Sequence, residues 1–125
     1  MEKKYIISAL IYALAGLVLG TIMAASKNHN QMVTHAHIML LGFVITFCYG
    51  ICYKLWVEDS QSKLAKLQFI LHQLGTLMML IGLYLMYGKL VDADKLEPMM
   101  ASSSVMVIIG MALMLFQFIF RAQKI

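Results

Sequence analysis

The chain has 125 residues, of which 62% are hydrophobic and only 13% charged, and its mean hydropathy is +0.81. A soluble domain of this size could not bury so much apolar surface, so the composition excludes an ordinary globular fold. The net charge of +4 forms no basic stripe interleaved with aromatic residues, which excludes a nucleic-acid-binding face. We attribute the net positive charge to lysines that lie beside anionic lipid headgroups.

Four apolar stretches are long enough to cross a hydrocarbon layer of ~30 Å, which takes about 20 helical residues. They are residues 5–25, 35–57, 64–90 and 99–120. Open strands would leave backbone groups unsatisfied in lipid, so each stretch is predicted to be an α-helix. The sequence therefore predicts an all-α protein, a single transmembrane domain over residues 1–125 with essentially no soluble part.

Basic residues are concentrated in the segments on one side of the predicted membrane. Of the ten lysines and arginines, seven lie there, namely Lys3, Lys4, Lys54, Lys63, Lys66, Arg121 and Lys124. Cytoplasmic segments of multi-pass proteins carry this excess, so both termini are predicted to be cytoplasmic and residues 26–34 and 88–98 to face outward. The expected location is the inner (cytoplasmic) membrane of the cell.

Within the first stretch, Gly16 and Gly20 are four residues apart. This small-xxx-small spacing lets helix backbones approach closely. We interpret it as a packing motif, with room for a flat cofactor as the alternative.

The histidines are the residues with the clearest functional potential. They are His29, His35, His37 and His72. Ionisable groups inside membranes are usually functional or partnered, and imidazole is the commonest nitrogen ligand for metals and haem iron. We therefore predict that His35 and His37 bind a cofactor. The alternative is a pair of interfacial histidines that hydrogen-bond to headgroups and turn carbonyls.

The spacing of the pair limits what it can bind. Residues two apart on a helix differ by ~200° in direction, so His35 and His37 point to nearly opposite flanks and cannot easily chelate one ion. They are suited to two separate sites, each of which needs a partner from elsewhere. A neighbouring copy can present its own His37 to this copy's His35, and such heterologous contacts repeat until a ring closes.

The other two histidines are secondary candidates for metal ligation. His29 lies in the connection before the second stretch, and His72 lies much deeper in the third. For His72 the alternative role is a neutral buried histidine that bonds to a backbone carbonyl or to a serine or threonine of another helix.

The segment from His35 to Tyr53 resembles the haem-ligating second helix of the catalytic subunit of haem-copper oxidases and nitric oxide reductases. In that resemblance His35 takes the haem-ligand position. Residues 68–75 are similar to the third helix of the same subunit, although His72 stands where an aromatic residue is more usual.

That subunit arranges its helices in three arcs of four, and this chain has the length of one arc. One of its helices carries a His-x-His whose members ligate two different haems. The resemblance implies a homotrimer, rather than a dimer, with haem b between His35 of one protomer and His37 of the next. Electron transfer with an unknown redox partner is the implied role. The family's copper ligands and redox-active tyrosine lie on helices absent here, so no oxidase activity is implied for the chain alone.

Two other functions stay open. His29, His35 and His37 could bind copper or zinc at the outer face, for metallation of another protein. A small transporter or interaction module is the third possibility. Four-helix drug exporters of similar length rely on a carboxylate within their first helix, however, and none of the four apolar stretches contains aspartate or glutamate.

Overall fold

The computed structural model describes residues 1–57 and 61–122. These residues form α1 (Glu2–Ser26), α2 (Met32–Leu55), α3 (Lys63–Tyr87) and α4 (Ala93–Arg121). The most apolar window of each helix has a mean hydropathy between 1.7 and 2.3. The prediction of an all-α protein with four helices long and apolar enough to span a membrane is confirmed over this part of the chain. Lys124, one of the residues assigned to the cytoplasmic side, lies outside it.

The start of the fourth helix was predicted too late. The predicted stretch starts after Pro98, at residue 99, because its bounds follow the apolar run. The helix instead begins at Ala93 and contains Pro98 near its N-terminal end. The proline removes one backbone hydrogen bond there, and the Pro98 carbonyl accepts from Ser102 Oγ at 2.8 Å.

The other helix ends also depart from the predicted bounds. The first and third helices each begin before the apolar stretch does, because helical turns continue into the lysines that flank it. The third helix ends at Tyr87 rather than at residue 90. Lys89 takes a left-handed backbone conformation with φ of 58°, which a continuing helix cannot accommodate.

The second helix is not a regular α-helix throughout. It begins at Met32, before the predicted residue 35, and its segment Ile38–Ile45 is a π-helix that directly follows His37. π-Helical turns are rare and are frequently found at functional sites. The sequence did not predict this segment, because an apolar run carries no signal for the difference between the two windings.

Side chains join the four antiparallel helices into one bundle. Tyr12 of α1 donates its hydroxyl to Gln73 Oε1 of α3 at 3.1 Å. At one end of the bundle, Tyr5 of α1 stacks on Tyr53 of α2 with ring centroids 5.5 Å apart, and Val57 pairs with Ala122 after α4. The start of α1 and the end of α4 therefore lie at the same end, as an even number of spans requires.

The distribution of polar and apolar side chains is the reverse of that in a soluble protein. Large apolar side chains cover the outside, and Leu10, Leu14, Leu17 and Ile108 are each more than half exposed. The interior contains polar side chains with 0% exposure, which are Thr46, Gln68, His72, Thr76, Ser103 and Gln117. A continuous apolar surface of this kind fits contact with a lipid bilayer.

Candidate functional site

His35 lies near the start of α2 and its ring packs against α1. Its Nδ1 is 2.8 Å from the Gly16 carbonyl oxygen. A β carbon at Gly20 would lie only 2.9 Å from His35 Cε1. Gly20 thus provides the space for an imidazole between two helices, whereas a β carbon at Gly16 would meet Met39 and Ile38 instead. The small-xxx-small motif therefore has a role that its spacing alone did not reveal.

The carbonyl partner determines which nitrogen of the neutral His35 ring carries the proton. A carbonyl oxygen can only accept, so Nδ1 carries the ring proton when the imidazole is neutral. Nε2 is then the basic nitrogen. His35 is half-buried, so this nitrogen belongs to a ring that is only partly enclosed by its own chain.

His37 has the same arrangement with a different carbonyl. Its Nδ1 is 2.9 Å from the carbonyl oxygen of Val33, one turn earlier in α2. The neutral ring therefore also carries its proton on Nδ1 and has Nε2 as its basic nitrogen. Whereas His35 faces α1, a residue two positions further along a helix points to nearly the opposite side.

His29 does not join this pair. It is exposed in the connection between α1 and α2. Among residues 1–57 and 61–122, no three histidine, cysteine, aspartate or glutamate side chains are grouped so that they could hold a metal ion. A site for bare copper or zinc built from His29, His35 and His37 is therefore not formed within one chain, and such a site would need ligands from a second chain.

His72 lies in the interior of the bundle and has no exposed surface. Its Nε2 is 2.7 Å from Thr46 Oγ1 of α2, and its ring meets Tyr49 edge-on with centroids 4.9 Å apart. The structure thus gives His72 a threonine partner on another helix. Thr46 follows His35 by about 15 Å along α2, so His72 is poorly placed to act with His35.

A buried cluster of polar side chains lies beyond His72, toward the end of the bundle where the chain begins. Gln117 Nε2 donates to Tyr53 Oη at 2.9 Å and to Gln68 Oε1 at 3.0 Å. The Tyr53 hydroxyl also donates to Gln68 Oε1. The sequence analysis missed this cluster, although Gln68, His72 and Thr76 recur at four-residue steps and so mark one polar face of α3.

The end of the bundle near His35 has a polar cavity. It lies between α1, α3 and their connections and has a volume of about 320 Å³. Its lining includes the side chains of Ser26, Asn28, Asn30 and Gln31. These side chains offer hydrogen-bond donors and acceptors, and the rest of the lining includes the apolar side chains of Leu19, Ile22, Met23 and Leu90.

No protein-family model, curated protein or solved structure matches this chain.

Proposed function

We propose that this protein is a b-type membrane cytochrome that transfers electrons, with haem iron held between His35 of one protomer and His37 of the next in a homotrimer. The observation that supports it is the matching state of the two imidazoles. Each donates Nδ1–H to a backbone carbonyl, at 2.8 Å for His35 and 2.9 Å for His37, so that each has Nε2 available. Metal-binding histidines almost always make this second hydrogen bond.

The donor set would fit a haem iron held by one imidazole from each of two protomers. When bound, haem would supply one-electron chemistry, and two histidine ligands would leave its iron without an open position for substrate. The residues of the chain orient the ligands and exclude water. The Gly16 carbonyl orients the His35 ring, Gly20 leaves room for it, and the apolar helix surfaces keep the surroundings dry.

Polar residues at the same end could bind the carboxylates of the cofactor. The family that the sequence resembles often uses arginines for this purpose, but Arg121 lies at the opposite end of the bundle. Lys27 and Lys89 follow the ends of α1 and α3, and Asn28 lies in the cavity lining between them. Ammonium and amide groups make weaker, less directional contacts than guanidinium groups.

The oligomer follows from the direction of the two histidines. Since they point to opposite flanks of α2, one chain offers a single ligand to each of two sites. A ring of identical protomers completes every site with a ligand from its neighbour. We propose a trimer rather than a dimer because the resemblance is to one of three arcs.

Absorption spectra and the oligomer mass of the detergent-purified protein test this proposal. We expect sharp visible bands typical of low-spin haem after reduction, and the mass of three chains. A colourless protein with stoichiometric copper would contradict the proposal and favour a metal site shared between chains. A protein with neither pigment nor metal would contradict it too, and would favour a transporter or interaction module.

A further inference from the structure

The polar face of α3 contains three side chains that are incompletely hydrogen-bonded. Gln68, His72 and Thr76 each have 0% exposure. Within the described part of the chain, Gln68 Nε2, His72 Nδ1 and Thr76 Oγ1 have no hydrogen-bond partner among protein atoms. Gln117 Oε1 on α4 also has no hydrogen-bond partner among these protein atoms. These four atoms lie in the bundle interior, where lipid cannot reach them.

Buried polar atoms of this kind are strongly unfavourable unless something satisfies them. Internal water is the usual partner, and a buried water molecule typically makes about three hydrogen bonds to such groups. The apolar outside of the bundle offers no alternative donor or acceptor. A dry interior would therefore leave several unfavourable groups close together on one helix face.

The spacing of His72 and Thr76 suits a bridging water molecule. Side chains four residues apart on a helix are neighbours on the same face, so one water molecule can bond to both of them. Gly110 of α4 adjoins this point, and a β carbon added there would be 3.7 Å from His72 Cβ. This is an ordinary contact with the backbone and β carbon of His72, so Gly110 packs against the residue without crowding it.

Gln68 and Gln117 offer a second, complementary position. Their amides are already joined by the bond from Gln117 Nε2 to Gln68 Oε1 at 3.0 Å. The two atoms left over are a donor, Gln68 Nε2, and an acceptor, Gln117 Oε1. One water molecule can accept from the first and donate to the second.

We propose that the bundle interior binds water at these two positions, one between His72 Nδ1 and Thr76 Oγ1 and one on the amides of Gln68 and Gln117. Water both donates and accepts, as does the Thr46 hydroxyl on the other ring nitrogen. The Thr46 hydroxyl can donate to the Leu41 carbonyl at 3.3 Å while it accepts from His72 Nε2–H, and His72 Nδ1 then accepts from the water molecule.

The substitution Thr76→Val tests the first position, because water and no water at this position predict opposite changes in Tm. Valine keeps the shape and removes the hydroxyl. If water bridges the pair, the variant leaves His72 without its partner, and the full-length protein is expected to melt about 2–8 °C lower. If the site is dry, the variant removes an unsatisfied group and Tm rises. An unchanged or raised Tm overturns the proposal.

The matched control is Thr21→Val, because Thr21 is exposed on α1 and donates to its own helix at the Leu17 carbonyl, 2.9 Å away. Its Tm is expected to stay close to that of the unmodified protein. A second readout is independent of folding stability: transfer of water magnetisation to histidine nitrogens in solid-state NMR of the protein in bilayers. The His72 signal, identified by its loss in His72→Phe, is expected to receive it. A His72 signal without such transfer refutes the site.

Discussion

Replacement of His35 by alanine is expected to abolish most of the haem absorption of the purified protein, and His37→Ala is expected to do the same. If the proposed function is right, each variant removes one of the two imidazole ligands, and loss of a ligand should lower bound haem at least as much as the 10- to 100-fold cost of losing a ligand's supporting hydrogen bond. Haem content per chain, measured from the pyridine derivative, checks this.

His29→Ala is the control for both variants. His29 is exposed in the connection before α2 and is not grouped with His35 and His37 into a metal site. Its replacement is expected to leave haem content and oligomer mass unchanged. Full haem content in His35→Ala would show that another residue binds the iron, as would a loss of haem in the His29 variant alone.

Gly20→Ala is expected to have a similarly large effect without touching a ligand. The added β carbon would lie 2.9 Å from His35 Cε1, so the ring must move away from its position beside Gly16. The hydrogen bond that orients His35 Nδ1 is then strained or lost. We expect haem content to fall by about tenfold or more, as for other losses of a supporting hydrogen bond.

Gly110→Ala is the matched control for this variant. The same added atom there meets His72 at 3.7 Å or more, which is an ordinary contact. Since glycine within a helix is replaced by alanine at no cost where space allows, this variant should keep both its haem and its stability. Equal haem content in the two alanine variants would mean that Gly20 does not position His35.

The four helices could be predicted because the thickness of a bilayer imposes a length on apolar segments. The first and last residues of the helices were less predictable, since they depend on local backbone conformation, which hydropathy does not describe. Pro98 lies inside α4 at the cost of a single hydrogen bond, and Ile38–Ile45 winds as a π-helix. Neither feature follows from the hydropathy of its segment.

The sequence selects the residues of the candidate site but does not describe their surroundings. His35 and His37 were selected by the rarity of histidine in membranes and by the direction of residues two apart. Nothing in the spacing of Gly16 and Gly20 revealed that an imidazole lies against them. The four-residue spacing of Gln68, His72 and Thr76 shows that they share one face of their helix. The sequence of a single helix does not show, however, which of its faces is turned away from lipid.

Co-expression of His35→Ala and His37→Ala chains tests whether two different protomers share each haem. Neither variant alone can complete a site. In a ring assembled at random from equal amounts of both, about a quarter of the interfaces pair an intact His35 with an intact His37. We expect the haem content of the co-expressed chains to recover to about a quarter of that of the unmodified protein. Mixed oligomers with no more haem than the separate variants would contradict it.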